Sequence, residues 1–168
     1  MKMLLAFVVG LIAAPILFVL AAVAGWLPSS SRSQPPKWES SIGMRSLDTS
    51  LERRSDGLTN PIAANDVAAL ASGGKIYSDN CAGCHGSAKG PSSFGSGFYP
   101  RVPQFFQEGA DVNPKEAYAA IHDGVRYSGM PAWDKQLTDE QMWQVANFIG
   151  AIKAPGGRGT GMNSIDKD

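Results

Sequence analysis

Lys75-Ile76-Tyr77-Ser78-Asp79-Asn80-Cys81-Ala82-Gly83-Cys84-His85-Gly86 is the stretch that decides the fold. It contains both cysteines and one of the two histidines of a 168-residue chain. Two thiols one helical turn apart can each add to a porphyrin vinyl group while the adjacent imidazole faces the iron, so C-x-x-C-H reads as covalent c-type haem attachment. On that reading Cys81 and Cys84 form thioethers and His85 is the proximal axial ligand. Two other chemistries compete. A redox dithiol wants C-x-x-C opening a helix after a strand, and here the motif closes a helical pattern with no strand nearby. A zinc site made from Cys81, Cys84, His85 and His122 lacks the second ligand pair at short spacing.

Upstream of the motif, Asn65 or Asp66 is placed to cap a helix that runs through Val67, Leu70 and Ile76 toward Cys81. From His85 to Val112 the chain is rich in Gly, Pro and Ser, which predicts loop with at most short helical turns. A second helix of about ten residues comes next, with Asn113 as N-cap, Pro114 in the first turn, Glu116 completing a capping box and Gly124 at its end. The third has Thr138 as N-cap and Gln141 three residues on. Its apolar stripe is Met142, Val145, Ala146, Ile149 and Ile152, ending before Pro155. No alternation of useful length predicts a strand, so the fold class is all-α: three main helices around one covalent haem. A domain of about 90 residues buries little apolar surface alone, and a large apolar group inside would supply part of its core.

The second axial ligand must come from far along the chain. Met130 is the choice, because Gly129 and Pro131 flank it in a loop between the second and third helices. Met142 lies on an apolar helical face and reads as packing. His122, in the last turn of the second helix, reads as a C-terminal cap favoured by the helix dipole. Met44 and Met162 fall in the segments expected to be tether and tail.

From Met3 through Leu27 the chain carries no charge, and Lys2 precedes this run. That is long enough to span a bilayer, which takes about 20 apolar residues, and longer than the apolar core of a cleaved signal. Ala22-Val23-Ala24 resembles a cleavage site, so a removed signal is the lesser alternative to a membrane anchor. Either one exports the rest of the chain. Residues 28–64 open with Pro28, several serines and Pro35-Pro36 and show no sustained period, which predicts a flexible tether of roughly 35 residues with a span on the order of 30 to 35 Å. Trp38, Ile42, Met44 and Leu47 interrupt its polarity. The domains so drawn are 1–27 anchor, 28–64 tether, 65–153 haem domain and 154–168 disordered tail. Fifteen Lys plus Arg balance fifteen Asp plus Glu, so no nucleic-acid footprint is expected.

Gly73 and Ile76-Tyr77 before Cys81-Ala82-Gly83-Cys84-His85-Gly86, then Gly124-Val125-Arg126-Tyr127-Ser128-Gly129-Met130-Pro131-Ala132-Trp133, then Leu137 to Ile152, resemble in order and spacing a class I monohaem cytochrome c of the bacterial membrane-anchored type. The resemblance covers roughly residues 65–153. It implies that the first and last helices cross closely, with Gly73 making room for an aromatic, Phe148 or Trp143. It implies too that a proline carbonyl orients His85, for which Pro91, Pro100 and Pro103 compete. The implied function is single-electron transfer without catalysis or a small-molecule substrate, in a respiratory or photosynthetic chain. The chain is then a single-pass protein of the bacterial inner membrane with its haem domain on the periplasmic side. Its partners are the bilayer and redox proteins, or, alternatively, the subunits of an oxidoreductase complex in which it is a fixed haem subunit.

Overall fold

A computed structural model describes residues 2–33 and 35–153; the expected disordered tail, 154–168, lies outside the described residues. The chain divides into two units, residues 1–34 and the remainder from Pro35. The first unit is helix α1 (Lys2–Val23), 22 residues with Pro15 inside it. At 1.5 Å per residue it is about 33 Å long, enough for a hydrocarbon core of about 30 Å. It is long and apolar enough to cross a membrane, with none of its apolar window buried. Gly25, at φ 76°, follows its end.

The second unit is built from α2 (Lys37–Ser55), α3 (Val67–Asn80), α4 (Ala82–His85), α5 (Phe105–Glu108), α6 (Pro114–Asp123) and α7 (Asp139–Ala151). Among the described residues the only β pairing is an isolated bridge between Ser87 and Gly90. The expected caps are in place. Asp66, rather than Asn65, caps α3 by accepting from the Ala69 N–H at 3.0 Å. Asn113 with Glu116, and Thr138 with Gln141, form reciprocal capping boxes on α6 and α7. Each satisfies backbone donors that the first helical turn leaves without partners.

Helices α3 and α7 cross at backbone contact. A β-carbon on Gly73 would sit 2.1 Å from the Gln144 carbonyl oxygen and 3.0 Å from Phe148 Cβ. The Phe148 ring itself lies over Gly74, 3.0 Å from where its β-carbon would be. Trp143 has a different neighbour, stacking on Tyr118 of α6 with centroids 4.2 Å apart and planes 14° from parallel. Tyr77, Met142, Val145 and Ala146 are almost wholly buried between these helices, so Met142 is core.

Residues 28–64 are not coil throughout, which corrects the expectation of a continuous tether. Nineteen of them form α2, and α2 packs on α6. Its inward stripe is Met44, Leu47, Asp48, Leu51, Arg54 and Ser55, with Leu51 and Ser55 buried. Three of those six are polar or charged, so the helical period is invisible to hydropathy. Trp38 and Ile42 point outward, 67% and 64% exposed. Beyond α2, Asn60 Nδ2 donates to Oδ1 of the buried Asn147 at 2.7 Å, closing this segment onto α7.

Candidate functional site

Cys81 ends α3, and its carbonyl accepts from the N–H groups of Cys84 and His85 as α4 begins. The C-x-x-C-H motif is therefore one tight helical turn. His85 Nδ1 lies 3.0 Å from the Pro103 carbonyl oxygen. With Nδ1–H donating there, Nε2 carries the lone pair, the tautomer an axial ligand needs, and a second partner of this kind fixes ring orientation and raises ligand basicity. Of the three competing prolines, Pro103 has this role. Phe105 stacks on the imidazole at 4.8 Å with planes 5° apart. Burial holds the imidazole below its ordinary pKa against the opposing pull of the Pro103 carbonyl.

The Gly/Ser-rich stretch after the motif wraps it. Ser92 Oγ donates to the Gly83 carbonyl and accepts from Gly95 N–H, and Gly95 lies so close that a β-carbon would meet the Cys84 carbonyl oxygen at 2.1 Å. Gln104, 8% exposed, donates to the Cys84 and Val102 carbonyls and accepts from Ser92 N–H. Tyr77 donates to the carbonyl of Gly86 at 2.9 Å and lies 3.2 Å from that of His85. Tyr77, Ser92, Gly95 and Gln104 thus hold the motif, and of these only Tyr77 belonged to the stretch singled out in the sequence.

Burial pushes the Cys81 thiol up to about 12, with Cys84 adding to the effect. A redox-active dithiol needs its nucleophile lowered, so Cys81 is not an activated thiol in this environment. Cys81, Cys84, His85 and His122 do not converge either. Among the described residues no three His, Cys, Asp or Glu side chains group to hold a metal ion. His122 instead contacts Asp123 at the end of α6, Nδ1 to Oδ1 at 2.7 Å.

Met130 lies in a closed loop. Val125 N–H donates to the Met130 carbonyl at 3.1 Å, Met130 N–H donates to Ser128 Oγ at 3.1 Å, and Trp133 N–H donates to the Ile121 carbonyl at 3.0 Å. Tyr127 sits at φ 61° at its tip, 88% exposed. Met130 is half-buried and, like Cys81, Ala82, Phe105, Trp133 and Leu137, is a partly covered apolar group packed against the buried core. The chemistry of this donor set, two thiols, an oriented imidazole and a thioether, fits a covalently held haem.

Gly129 shows how tightly the loop is placed. A β-carbon there would lie 2.2 Å from the Phe98 ring, and Phe98 stands edge-on to Phe94 at 5.1 Å. Gly129→Ala is expected to displace the loop and, where Met130 ligates the iron as proposed below, to weaken a far-red iron–thioether absorption band in the haem-loaded protein, and Phe98→Ala in the same chain to restore it. A full-strength band in Gly129→Ala alone would show that Phe98 does not constrain the loop.

The family model for cytochrome c oxidase, cbb3-type, subunit III matches residues 68–149. A cbb3-type cytochrome c oxidase subunit FixP from Rhizobium etli is 33% identical over 97 residues, 57% of this chain and 31% of that protein. The FixP subunit of Sinorhizobium medicae is 34% identical over 89 residues, covering 48% and 29%. Residues 68–149 are a c-type cytochrome domain. The matched part of the chain spans about a third of these relatives' length. A chain of a reducing HAO-like protein complex from Kuenenia stuttgartiensis is also similar, with TM-score 0.48 and 21% identity over 57% of this chain and 47% of that one. Haem c is the cofactor of the cytochrome family, and the matched segment holds both cysteines, His85 and Met130 of this cytochrome domain.

Proposed function

We propose that this chain carries one haem c, bound through Cys81 and Cys84 and ligated by His85 and Met130, and passes single electrons as a haem subunit of a membrane oxidoreductase complex. The observation that carries the reading is the 3.0 Å contact from His85 Nδ1 to the Pro103 carbonyl, which prepares Nε2 for iron within a C-x-x-C-H turn. The haem supplies the one-electron redox change, and a thioether ligand raises its potential. The protein's residues do the positioning: Pro103 orients the imidazole, Gln104 and Ser92 hold the motif backbone, and the Gly124–Trp133 loop presents Met130. With His85 and Met130 both holding the iron, the site would leave no position open for a small-molecule substrate.

Two observations favour a fixed subunit over a freely swinging carrier. The matched relatives are named as oxidase subunits. And α2 reduces the chain between α1 and the folded unit from the expected 35 or so residues to 13, positions 24–36. We place α1 in the bilayer and the haem domain on the periplasmic side of a bacterial inner membrane, since haem attachment to an exported domain fits an uncharged N-terminal span. The test is acid–acetone extraction, then exposure of the reduced protein to carbon monoxide. Haem is expected to stay with the wild-type chain and to be extracted from the Cys81→Ser, Cys84→Ser variant, and carbon monoxide to bind slowly at neutral pH. Rapid binding would remove the electron-carrier reading in favour of a ligand-binding site.

A further inference from the structure

The end of α6 is held from two sides. On one side is the methionine loop. Gly124, at φ 70°, is so close to it that a β-carbon would lie 2.6 Å from Ala132 N, 2.7 Å from the Pro131 carbonyl carbon and 2.9 Å from the Met130 carbonyl oxygen. The loop is bonded to the same helix end through Val125 N–H to Met130 O and Trp133 N–H to Ile121 O. On the other side is α2. Arg54 Nη1 lies 3.1 Å from Asp123 Oδ2 and 3.5 Å from the carbonyl oxygens of Ala119 and Gly124. The last carbonyls of a helix have no partner within it, and at Gly124, which closes α6, a guanidinium from 70 residues away in sequence supplies one. The Arg54 side chain is 28% exposed and that of Asp123 45%, so the ion pair alone carries little weight, and the part-buried contacts to the Ala119 and Gly124 carbonyls tie the guanidinium to the helix end.

We propose that Arg54 is a positioning residue for the sixth ligand: by pinning the end of α6 it holds Gly124 against the backbone of Met130, so that helix α2 sets how firmly Met130 stays on the iron. The contacts run without a gap from the guanidinium to the Gly124 carbonyl and from Gly124 to the Met130 carbonyl. A loosened α6 end gives the loop room to move as a unit, since its own internal hydrogen bonds remain intact. Because only positions 24–36 separate the membrane-spanning helix from α2, the strength of ligation becomes sensitive to what α2 docks on. This inference rests on the proposed His85/Met130 ligation.

The experiment uses the full haem-loaded chain in detergent and compares Arg54→Ala with Arg53→Ala, which removes the same charge from an exposed neighbour on the same helix. Carbon monoxide association with the reduced protein reports how often Met130 leaves the iron. In Arg54→Ala it is expected to rise about tenfold, within the range that coupling through packed contacts reaches, with a weaker far-red band and a lower midpoint potential. Arg53→Ala is expected to match wild type. Arg54→Lys, which keeps the charge and loses the fork that reaches several acceptors, should lie between, and Asp123→Asn should shift in the same direction as Arg54→Ala, so the result stands even where the alanine variant folds poorly. Carbon monoxide kinetics and potential equal to wild type in Arg54→Lys, Asp123→Asn and Arg54→Ala, with only thermal stability lowered, would overturn the proposal. A far-red band that survives in Met130→Leu would overturn the ligand reading itself, which is a different result from failure of the latch.

Discussion

Gly73→Ala is expected to cost the domain about 3 kcal/mol or more and to lower its melting temperature by more than about 10 °C. The added methyl group would lie 2.1 Å from the carbonyl oxygen of Gln144 and 2.6 Å from its carbon. Those are backbone atoms, which have no rotamer to retreat into. Helices α3 and α7 must therefore move apart, and the space opens beneath Tyr77, Met142 and Val145, among the most deeply buried side chains of the core. Helix propensity alone would favour alanine over glycine by about 1 kcal/mol, so the sign of the effect is itself diagnostic. Gly43, in α2 with nothing within 4 Å of its β-carbon position, provides the control. Gly43→Ala is expected to stabilise by about 0.5 to 1 kcal/mol. Guanidinium unfolding monitored by haem absorbance measures both, and a Gly73→Ala midpoint at or above wild type would mean that the helices do not cross at this distance.

Met130→Leu is expected to abolish the far-red iron–thioether band, lower the midpoint potential by on the order of 0.1 V or more, and open the sixth position to carbon monoxide. Leucine is close to methionine in volume, and such exchanges cost under about 1.5 kcal/mol. The fold should therefore survive while the ligand is lost. Met142→Leu makes the comparison, since Met142 is 2% exposed in the core and its replacement should leave the band in place. A band lost in Met142→Leu and kept in Met130→Leu would reverse the assignment. Arg54→Ala, by contrast, is expected to weaken the ligand bond without removing the ligand, so the two variants rank in effect.

The parts of this domain that local chemistry specifies were readable in advance. Asn113, Pro114, Glu116 and Gly124 mark both ends of α6 because capping satisfies donors and acceptors within one turn of the residues themselves. The same holds for Thr138 and Gln141 on α7. Helix α2 was not readable. Its buried face presents Asp48, Arg54 and Ser55 beside Leu51, and a hydropathy period needs the buried side to be apolar. Burial there pushes the Asp48 carboxyl above its ordinary pKa, with Glu52 adding to it, a consequence of packing with no signal in residue order.

At the haem site the division has the same cause. Cys81, Cys84 and His85 stood out in the sequence because the covalent attachment and proximal ligation proposed for them need only one helical turn. Met130 stood out through its flanking Gly129 and Pro131, although nothing local distinguishes a thioether aimed at iron from one packed in a core. Only the tertiary structure chose Pro103 over Pro91 and Pro100, placed Phe148 over Gly74 and Trp143 on Tyr118, laid Phe98 against Gly129, and brought Arg54 to the end of α6. Each of those contacts joins residues 18 to 74 positions apart. Residue type states which partners a side chain can accept, and the chain's path through space decides which one is within reach.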